Sequence, residues 1–258
     1  MATLIADIFV TIKDRYALAH RSLSSLLANT PRDKFRLTIC LDGRNHGTEF
    51  VESGLQALIY RSADYIVQSM ENEGLGPTIN RAVSSIKEIN DWYSHPTHGD
   101  PASVAPFICM LQDDIQYTPG WLSLLSSRFT AYEKVRNLGF ASGIECIEHP
   151  IVAGCGSILF KAHIRATCML GRREYWTSMM PIPRYDPETR QVRAKPNDGI
   201  GSGVDWHLIR NHPLSIERSG KLCLVMPGLL QHAGFDKSTW LKREMPESDS
   251  DKDKIRNG

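Results

Sequence analysis

Hydrophobic and polar positions follow two periods that alternate along the first half of the chain. Apolar, β-branched runs at 5–12, 35–41, 65–68 and 107–111 are short enough to be strands. Three intervening segments carry apolar residues at helical spacing: Leu18, Leu23, Leu26 and Leu27; Phe50, Val51, Leu55, Leu58 and Ile59; and Ile79, Val83, Ile86 and Ile89. Strands that alternate with helices predict an α/β fold with a mostly parallel central sheet flanked by helices.

The second half is less regular. Strands are predicted at 140–144 and 156–160, and a short helix at 161–170. Residues 180–203 have no apolar periodicity, which is typical of a lid or binding loop or else of a disordered segment, and we expect a mobile loop that becomes ordered over a bound donor. We predict a single domain over 1–241, followed by a charged, disordered tail at 242–258.

Composition and charge argue against a protein that binds nucleic acid or membranes through its overall charge. Lys and Arg number 30 and Asp and Glu 29, so the formal net charge of +1 gives no global attraction to nucleic acid or membranes. The six cysteines contain no CxxC pair, and we expect buried, reduced thiols. The first twelve residues lack a basic start. No segment reaches the roughly 20 apolar residues that span a bilayer. We therefore expect a cytoplasmic protein without a membrane anchor.

The segment "ICMLQDDIQYTPGWL" places two adjacent carboxylates, Asp113 and Asp114, at the end of an apolar run. Like charges side by side repel, so they are tolerated best where a cation, solvent or hydrogen bonds offset the repulsion. Asp42 follows the second predicted strand in the same way. Because ligands bind at the carboxyl ends of strands in parallel sheets, we predict a ligand site at this edge. The alternative is a solvated turn in which an Asp caps a helix ahead of Pro119.

Six segments together resemble a known family. They are "TIKDRYALAHRSLSSLL", "LDG", "GLGPTINRAV", "MLQDDIQYTPGWL", "GSGVDWHLI" and "MPGLLQHAG". Their order and spacing resemble the GT-A fold nucleotide-sugar glycosyltransferases, most closely the family 2 type, over about residues 4–240. The resemblance implies a Rossmann-like donor half at about 1–122 and a smaller, irregular acceptor half at about 123–241. It also implies transfer of a sugar from a nucleotide-sugar, with a UDP-sugar as the expected donor.

The resemblance assigns a set of donor contacts. They are Thr11, Lys13, Arg15, Asp42, Gly74, Gly76, Asn80, Gln112 and Asp113. Asp42 would accept hydrogen bonds from the base edge, and the glycines would let the backbone approach the donor closely. Gln112 stands where the family has an Asp that contacts the ribose, and it can hydrogen-bond a hydroxyl but brings no charge. From the residues alone, Asp42 also fits a plain Asp-Gly turn, and Gly74 fits an ordinary helix start.

The resemblance also implies a divalent metal, because a nucleoside diphosphate gathers negative charge as it leaves. Counting back from Pro119 places Asp114 on the family's metal-binding carboxylate. "LLQHAG" places His232 where some members supply a histidine ligand, although a lone histidine is otherwise more often an ordinary polar residue. Oxygen ligands suit Mg²⁺ or Mn²⁺, and an imidazole beside carboxylates favours Mn²⁺.

The segment "GSGVDWHLI" resembles the one that carries the catalytic base of inverting members, and Asp205 is the matching residue. A carboxylate suits this role because the acceptor hydroxyl must lose a proton as it attacks the anomeric carbon. The family often has two acidic residues here, whereas Val204 precedes Asp205. The alternative is a helix N-terminal Asp stabilised by the helix dipole.

The acceptor class stays open between a glycan, a small molecule and a modified DNA base, which makes nucleic acid one candidate partner. Two rival functions remain. The departure at Gln112 allows a non-catalytic nucleotide-sugar binding module with the same fold. A nucleotidyltransferase would also use carboxylates at strand ends, but such enzymes usually have a glycine-rich loop after the first strand, and "TIKDRYALAH" contains no glycine.

Overall fold

The computed structural model describes residues 3–43, 46–69, 74–95, 97, 100, 103–145, 149–183, 204 and 207–232. Its strands are β1 (Ala6–Ile12), β2 (Phe35–Leu41), β3 (Tyr65–Gln68), β4 (Phe107–Gln112), β5 (Ile115–Tyr117), β6 (Leu138–Ser142), β7 (Ile151–Cys155), β8 (Ile158–Lys161), β9 (Cys168–Arg172), β10 (Leu222–Val225) and β11 (Leu230–His232). Its α-helices are α1 (Tyr16–Asn29), α2 (Gly47–Glu52), α3 (Leu55–Ser62), α4 (Leu75–Tyr93), α5 (Trp121–Arg136) and α6 (Arg173–Ser178). A π-helical turn covers His207–Asn211.

A nine-stranded sheet runs through the described chain in the order β3-β2-β1-β4-β9-β6-β10-β8-β7. The pairs β1–β2, β2–β3, β1–β4 and β6–β10 are parallel, whereas β9 and β8 are antiparallel to their neighbours. Seven of the nine strands therefore point the same way, which confirms the predicted α/β class and its mostly parallel sheet. β5 and β11 form a separate antiparallel pair.

Helices cover both faces of the sheet. On one face α1, α3 and α5 contribute Leu23, Leu58 and Phe129 to the core. On the other face α4 and α6 contribute Ile79 and Trp176. The central strands β1, β2 and β4 are buried along almost their whole length. This burial explains why their sequences are continuous apolar runs rather than alternating ones.

The elements predicted for the first half agree closely with the structure. β2 and β3 have the predicted bounds, while β1 begins one residue later and β4 ends one residue later. The second predicted helix is two helices, α2 and α3, because the chain turns between them at Gly54. This glycine has a φ of 74°, which disfavours residues with a side chain.

The helix predicted at 161–170 is wrong. β8 ends at Lys161, and the apolar run that begins at Cys168 is β9, which lies between β4 and β6. Cys168, Met169 and Leu170 are fully buried. A short run that is buried on both faces has no periodicity by which a strand can be told from a helix.

The cysteines follow the expectation of buried thiols with one described exception. The buried ones are Cys40, Cys109, Cys168 and Cys223. Cys155 is exposed on β7, and Cys146 lies outside the described residues. Among the described residues, no helix has the length and apolar character needed to cross a membrane.

Candidate active site at the carboxyl ends of β1, β2 and β4

The carboxyl ends of β1, β2 and β4 meet at one edge of the sheet. Thr11 in β1 is aligned with Cys40 in β2 and with Gln112 in β4. The backbone N–H of Asp42 donates to the carbonyl oxygen of Ile12 across this edge, at 3.1 Å. The parallel register therefore brings together Thr11, Asp42 and Gln112, which the sequence places after three different strands.

Asp113 and Asp114 form the turn between β4 and β5. Both are buried, with 3% and 1% of their surface exposed. α1 fixes the following strand, because Ser22 Oγ accepts a hydrogen bond from the backbone N–H of Ile115 at 3.1 Å. The turn that carries the two carboxylates is therefore held between the end of β4 and the side of α1.

The alternative in which one of these carboxylates caps a helix is not supported. α5 begins at Trp121, and its N-cap residue is Gly120, without a side-chain cap hydrogen bond. Asp113 and Asp114 lie before β5, several residues upstream of this helix.

His232 reaches the carboxylates through the small β5–β11 sheet. The antiparallel register pairs His232 with Ile115, the residue directly after Asp114. His232 Nε2 lies 3.0 Å from Asp114 Oδ2. Thr118 Oγ1 also donates to the carbonyl oxygen of Leu229 at 2.7 Å, which holds the two strands together beyond the pairing. The structure thus brings Asp114 and His232 together, and their role as metal ligands stays a prediction.

Arg15 lies between the two carboxylates. It is the residue before α1, and its Nη1 donates to Asp114 Oδ2 at 2.6 Å while its Nη2 contacts Asp113 Oδ1. One guanidinium group thus bridges two buried carboxyl groups, while a fifth of its own side-chain surface is exposed. Lys13, in the same loop, is half-buried. The donor contacts predicted for Lys13 and Arg15 stay predictions.

The surroundings separate the pKa values of the two carboxyl groups. Burial raises the pKa of Asp113 to about 7, because the charge of Arg15 offsets only part of the desolvation and the Asp114 carboxylate adds repulsion. Burial also disfavours the charge of Asp114, but contact with His232 and the charge of Arg15 outweigh it, so the pKa of Asp114 lies below its ordinary value. Asp114 is therefore ionised at neutral pH, whereas Asp113 changes its charge near neutral pH.

The oxygens of Asp114 fit a divalent cation. Oδ1 is buried and has no hydrogen-bond partner among the described residues, whereas Oδ2 contacts both Arg15 and His232. A buried, unpartnered carboxylate oxygen is costly unless a ligand completes its contacts. Within the described ranges, no group of three or more acidic, histidine or cysteine side chains is arranged to hold a metal. Metal binding by Asp114 and His232, with substrate phosphates as further ligands in the way that is usual for Mg²⁺, therefore stays a prediction.

The side chain of Asp42 links the end of β2 to the start of α4. Its Oδ1 accepts from Ser69 Oγ and its Oδ2 accepts from the backbone N–H of Gly74, each at 3.1 Å. Ser69 Oγ in turn accepts from the backbone N–H of Gly43 at 2.7 Å. Sequence reasoning missed Ser69. Its position directly after β3, at the same edge as the other strand ends, is the signal that could have found it.

Gly76 and Asn80 contact a segment from the other half of the chain. Asn80 Nδ2 donates to the carbonyl oxygen of Ile182 at 2.8 Å, and Asn80 Oδ1 accepts from the N–H of Ile182 at 2.7 Å. A Cβ added at Gly76 would lie 3.5 Å from Ile182 Cγ2 and 4.0 Å from Val204 Cγ2. The close approach at Gly76 is therefore to protein, and the predicted donor contacts of both residues stay predictions.

Asp205, the predicted catalytic base, lies outside the described residues, as do residues 184–203 of the predicted mobile loop. The described flanks of this segment are anchored. Val204 is buried, and His207 Nε2 lies 2.8 Å from the carbonyl oxygen of Met179. Burial lowers the pKa of His207, so the ring is neutral near pH 7 and Nε2–H donates this hydrogen bond.

No protein-family model and no curated protein matches the sequence. Solved structures match the fold. GalNAc-T7, crystallised with UDP, GalNAc and Mn²⁺, gives a TM-score of 0.51 at 11% identity over 87% of this chain. The mannosyltransferase PcManGT from Pyrobaculum calidifontis, in complex with GDP-Man and Mn²⁺, gives a TM-score of 0.46 at 10% identity over 69% of this chain. TarS from S. aureus gives a TM-score of 0.42 at 11% identity over 69% of this chain.

The fold is therefore the GT-A type found in nucleotide-sugar glycosyltransferases, as its resemblance to GalNAc-T7 shows. The chain spans 43% of the GalNAc-T7 chain, 47% of the PcManGT chain and 30% of the TarS chain, which is less than half of each.

Proposed function

We propose that this protein is a metal-dependent glycosyltransferase that moves a sugar from a nucleotide-sugar donor to a hydroxyl group. The observation that carries the proposal is the contact of Asp114 with His232, 3.0 Å apart, at the sheet edge that also carries Asp42. Open α/β sheets bind their ligands at this edge. The fold is shared with GalNAc-T7, which was crystallised with UDP, GalNAc and Mn²⁺.

Asp114 and His232 would hold Mn²⁺ or Mg²⁺ in this proposal. A bound ion of this kind neutralises the negative charge that develops on a departing diphosphate. His232 would contribute a neutral nitrogen ligand and Asp114 an ionised oxygen, and the lowered pKa of Asp114 keeps that oxygen available at neutral pH.

The donor nucleoside would lie along the strand ends. Asp42, held in place by Ser69 and Gly74, would accept hydrogen bonds from the edge of the base, and a UDP-sugar is the donor we expect. Thr11 and Gln112, side by side on β1 and β4, would contact the ribose. Hydroxyl and amide groups can both donate and accept, which suits the two hydroxyls of a ribose.

A panel of nucleotide-sugars tests the donor part of the proposal. We expect UDP-sugars to raise the thermal unfolding midpoint in the presence of Mn²⁺ and much less in EDTA, because a ligand that binds only the folded state stabilises it. GDP-sugars are the matched comparison. Equal effects of all nucleotides with and without metal would contradict the proposal. A donor that binds with Mn²⁺ but is neither hydrolysed nor transferred to a glycan, a small molecule or DNA would favour the non-catalytic binding module.

We assign the general base to Asp205 and expect inversion of the anomeric configuration. The assignment rests on the resemblance of "GSGVDWHLI" and on its neighbour Val204, which packs beside Gly76 near the start of α4. Asp205→Asn keeps the size of the side chain, so it should bind donor and metal normally but lower kcat by roughly 10²- to 10⁴-fold. Turnover near the wild-type rate would reject Asp205 as the base. Retention of configuration, measured by NMR of the product, would reject inversion.

A further inference from the structure

We propose that Arg15 is a resident cation of the Asp113–Asp114 pair and that it must leave Asp114 before a divalent metal binds there. The inference rests on the proposed function, since it concerns how the same site takes up its metal. Metal and nucleotide should consequently bind together, because the nucleotide's diphosphate offers Arg15 new anionic partners.

The first step of the argument is the charge of the pair. Asp113 and Asp114 are adjacent and their side chains are 5% and 1% exposed, so water screens their repulsion poorly. Arg15 contacts one oxygen of each. A guanidinium group is always protonated and presents a planar fork of donors, which lets it bridge two carboxylates where a lysine would offer a single charged point.

The second step is the position of Arg15. Its Nη1 lies 2.6 Å from Asp114 Oδ2, the same oxygen that lies 3.0 Å from His232 Nε2. The guanidinium group thus contacts the same Asp114 oxygen that His232 contacts. A divalent ion at this oxygen would be repelled by Arg15 at contact distance, so both cations cannot occupy it at once.

The third step is that Arg15 is able to move. It is the N-cap residue of α1, its backbone lies outside the helix, and a fifth of its side chain is exposed. When Arg15 leaves, both oxygens of Asp114 become available to the ion. One of them, Oδ1, already has no hydrogen-bond partner among the described residues. Guanidinium pairs with phosphate as well as it does with carboxylate, so a diphosphate at the strand ends would receive it.

The test is Mn²⁺ binding without nucleotide, measured from the electron paramagnetic resonance signal of free Mn²⁺. Arg15→Ala should bind Mn²⁺ about tenfold more tightly than wild type, since no charged hydrogen bond has to be broken first. Arg15→Lys should fall between the two, because lysine cannot bridge both carboxylates. Arg32→Ala is the matched control, since Arg32 pairs with Asp64 on the surface, 2.8 Å away. It should leave the affinity unchanged.

A second measurement covers the case in which Arg15→Ala folds poorly. The thermal unfolding midpoint of Arg15→Ala in EDTA should be lower than that of wild type. Mn²⁺ should raise the midpoint of Arg15→Ala more than it raises that of wild type. The double variant Arg15→Ala with Asp114→Asn should lose this rescue, which places the ion at Asp114.

Equal or weaker Mn²⁺ affinity in both Arg15→Ala and Arg15→Lys would overturn the inference. In that case, a wild-type protein that still binds UDP better with Mn²⁺ would leave the proposed function standing. If instead both variants bind Mn²⁺ tightly while wild type binds no nucleotide, the resident-cation role would stand and the glycosyltransferase proposal would fall.

Discussion

Two buried contacts between arginine and aspartate lie at opposite ends of the sheet. At the amino ends of β1 and β2, Arg36 donates through Nε and Nη2 to both oxygens of Asp7, at 2.6 and 2.9 Å. Asn90 of α4 joins the pair, because it accepts from Arg36 at 2.9 Å and donates to Asp7 at 2.7 Å. The guanidinium carbon of Arg36 also lies 5.1 Å from the centre of the Tyr93 ring. One cation here meets one anion, and both carboxylate oxygens are hydrogen-bonded, while Nη1 of Arg36 is buried without a hydrogen-bond partner among the described residues.

At the carboxyl ends of the strands two carboxyl groups share one cation, and the unpaired atom belongs to a carboxylate. Arg15 faces two carboxylates, and Asp114 Oδ1 has no hydrogen-bond partner in the described part of the chain. Because buried polar groups are nearly always paired, such an exception calls for an explanation. The comparison indicates that the Arg36 cluster holds β1, β2 and α4 together, whereas the Arg15 cluster is where we propose that another cation binds.

The largest expected difference is in ligand binding. Asp114→Asn should lower Mn²⁺-dependent affinity for UDP or turnover by roughly 10²- to 10³-fold, because a metal at a developing charge is worth several kcal/mol. Stability should fall by a smaller amount, since Arg15 and His232 favour the ionised form of Asp114 in the folded protein and Asn cannot supply that charge. Calorimetry with Mn²⁺ and with EDTA measures the affinity, and urea unfolding measures the stability. Unchanged affinity in Mn²⁺ would remove Asp114 from the metal site.

At the amino ends of the strands we expect a large loss of stability and no loss of ligand binding. Asp7→Ala leaves the charge of Arg36 buried without its anion, so the free energy of unfolding should fall by about 3–5 kcal/mol. The protein that remains folded should bind UDP and Mn²⁺ as wild type does. Urea unfolding and calorimetry at low temperature separate the two quantities. A large loss of Mn²⁺ affinity in this variant would mean that the two clusters are not independent.

A smaller effect is expected at Asp42, the residue that we propose accepts hydrogen bonds from the base of the donor. Ser69→Ala removes the hydroxyl that donates to Asp42 Oδ1, so Asp42 is held less firmly. One hydrogen bond contributes roughly 0.5–1.5 kcal/mol, so UDP affinity should fall by about three- to tenfold. Ser62→Ala is the control, because its hydroxyl donates to the carbonyl oxygen of Leu58 within α3 and lies away from Asp42. Equal losses in both variants would reject a positioning role for Ser69.

The smallest expected effect depends on pH and concerns His207, whose ring is buried and donates a hydrogen bond to the carbonyl oxygen of Met179. Burial lowers the pKa of His207 below 6.5, so the unfolded chain takes up a proton first as the pH falls. Stability should be fully present above about pH 6.5 and decrease below it, by at most about 1.4 kcal/mol per pH unit for one group.

His207→Gln should flatten this decrease in urea unfolding between pH 7 and 5. His95→Gln is the control, because His95 is exposed. His163 and His212, whose pKa values burial also lowers, should retain part of the slope. An identical slope in wild type and His207→Gln would contradict the assignment.

Much of the first half could be predicted because its information is local. The bounds of β2 and β3 follow from short apolar runs, and α1 and α4 follow from apolar residues at helical spacing. The sequence also placed Asp42 and the Asp113–Asp114 pair after strands. Since parallel strands end at a common edge, these carboxylates could be expected to lie near one another.

The second half resisted prediction because its elements depend on partners that are distant in the sequence. β9 is a strand because β4 and β6 flank it, and nothing in the run from Cys168 to Leu170 distinguishes this strand from a buried helix. β5 and β11 are each three residues long, too short for a periodic pattern, and they exist because they pair with each other.

By itself, therefore, the sequence determined the α/β class, the first four strands and the carboxylates at their ends. Periodicity and charge act over a few residues, and they can be recognised without knowledge of the neighbours. Only the tertiary structure decided that His232 lies beside Asp114 and that Arg15 bridges the two carboxylates. These contacts join residues about a hundred positions apart, so they depend on strand register and helix packing, which no local pattern specifies.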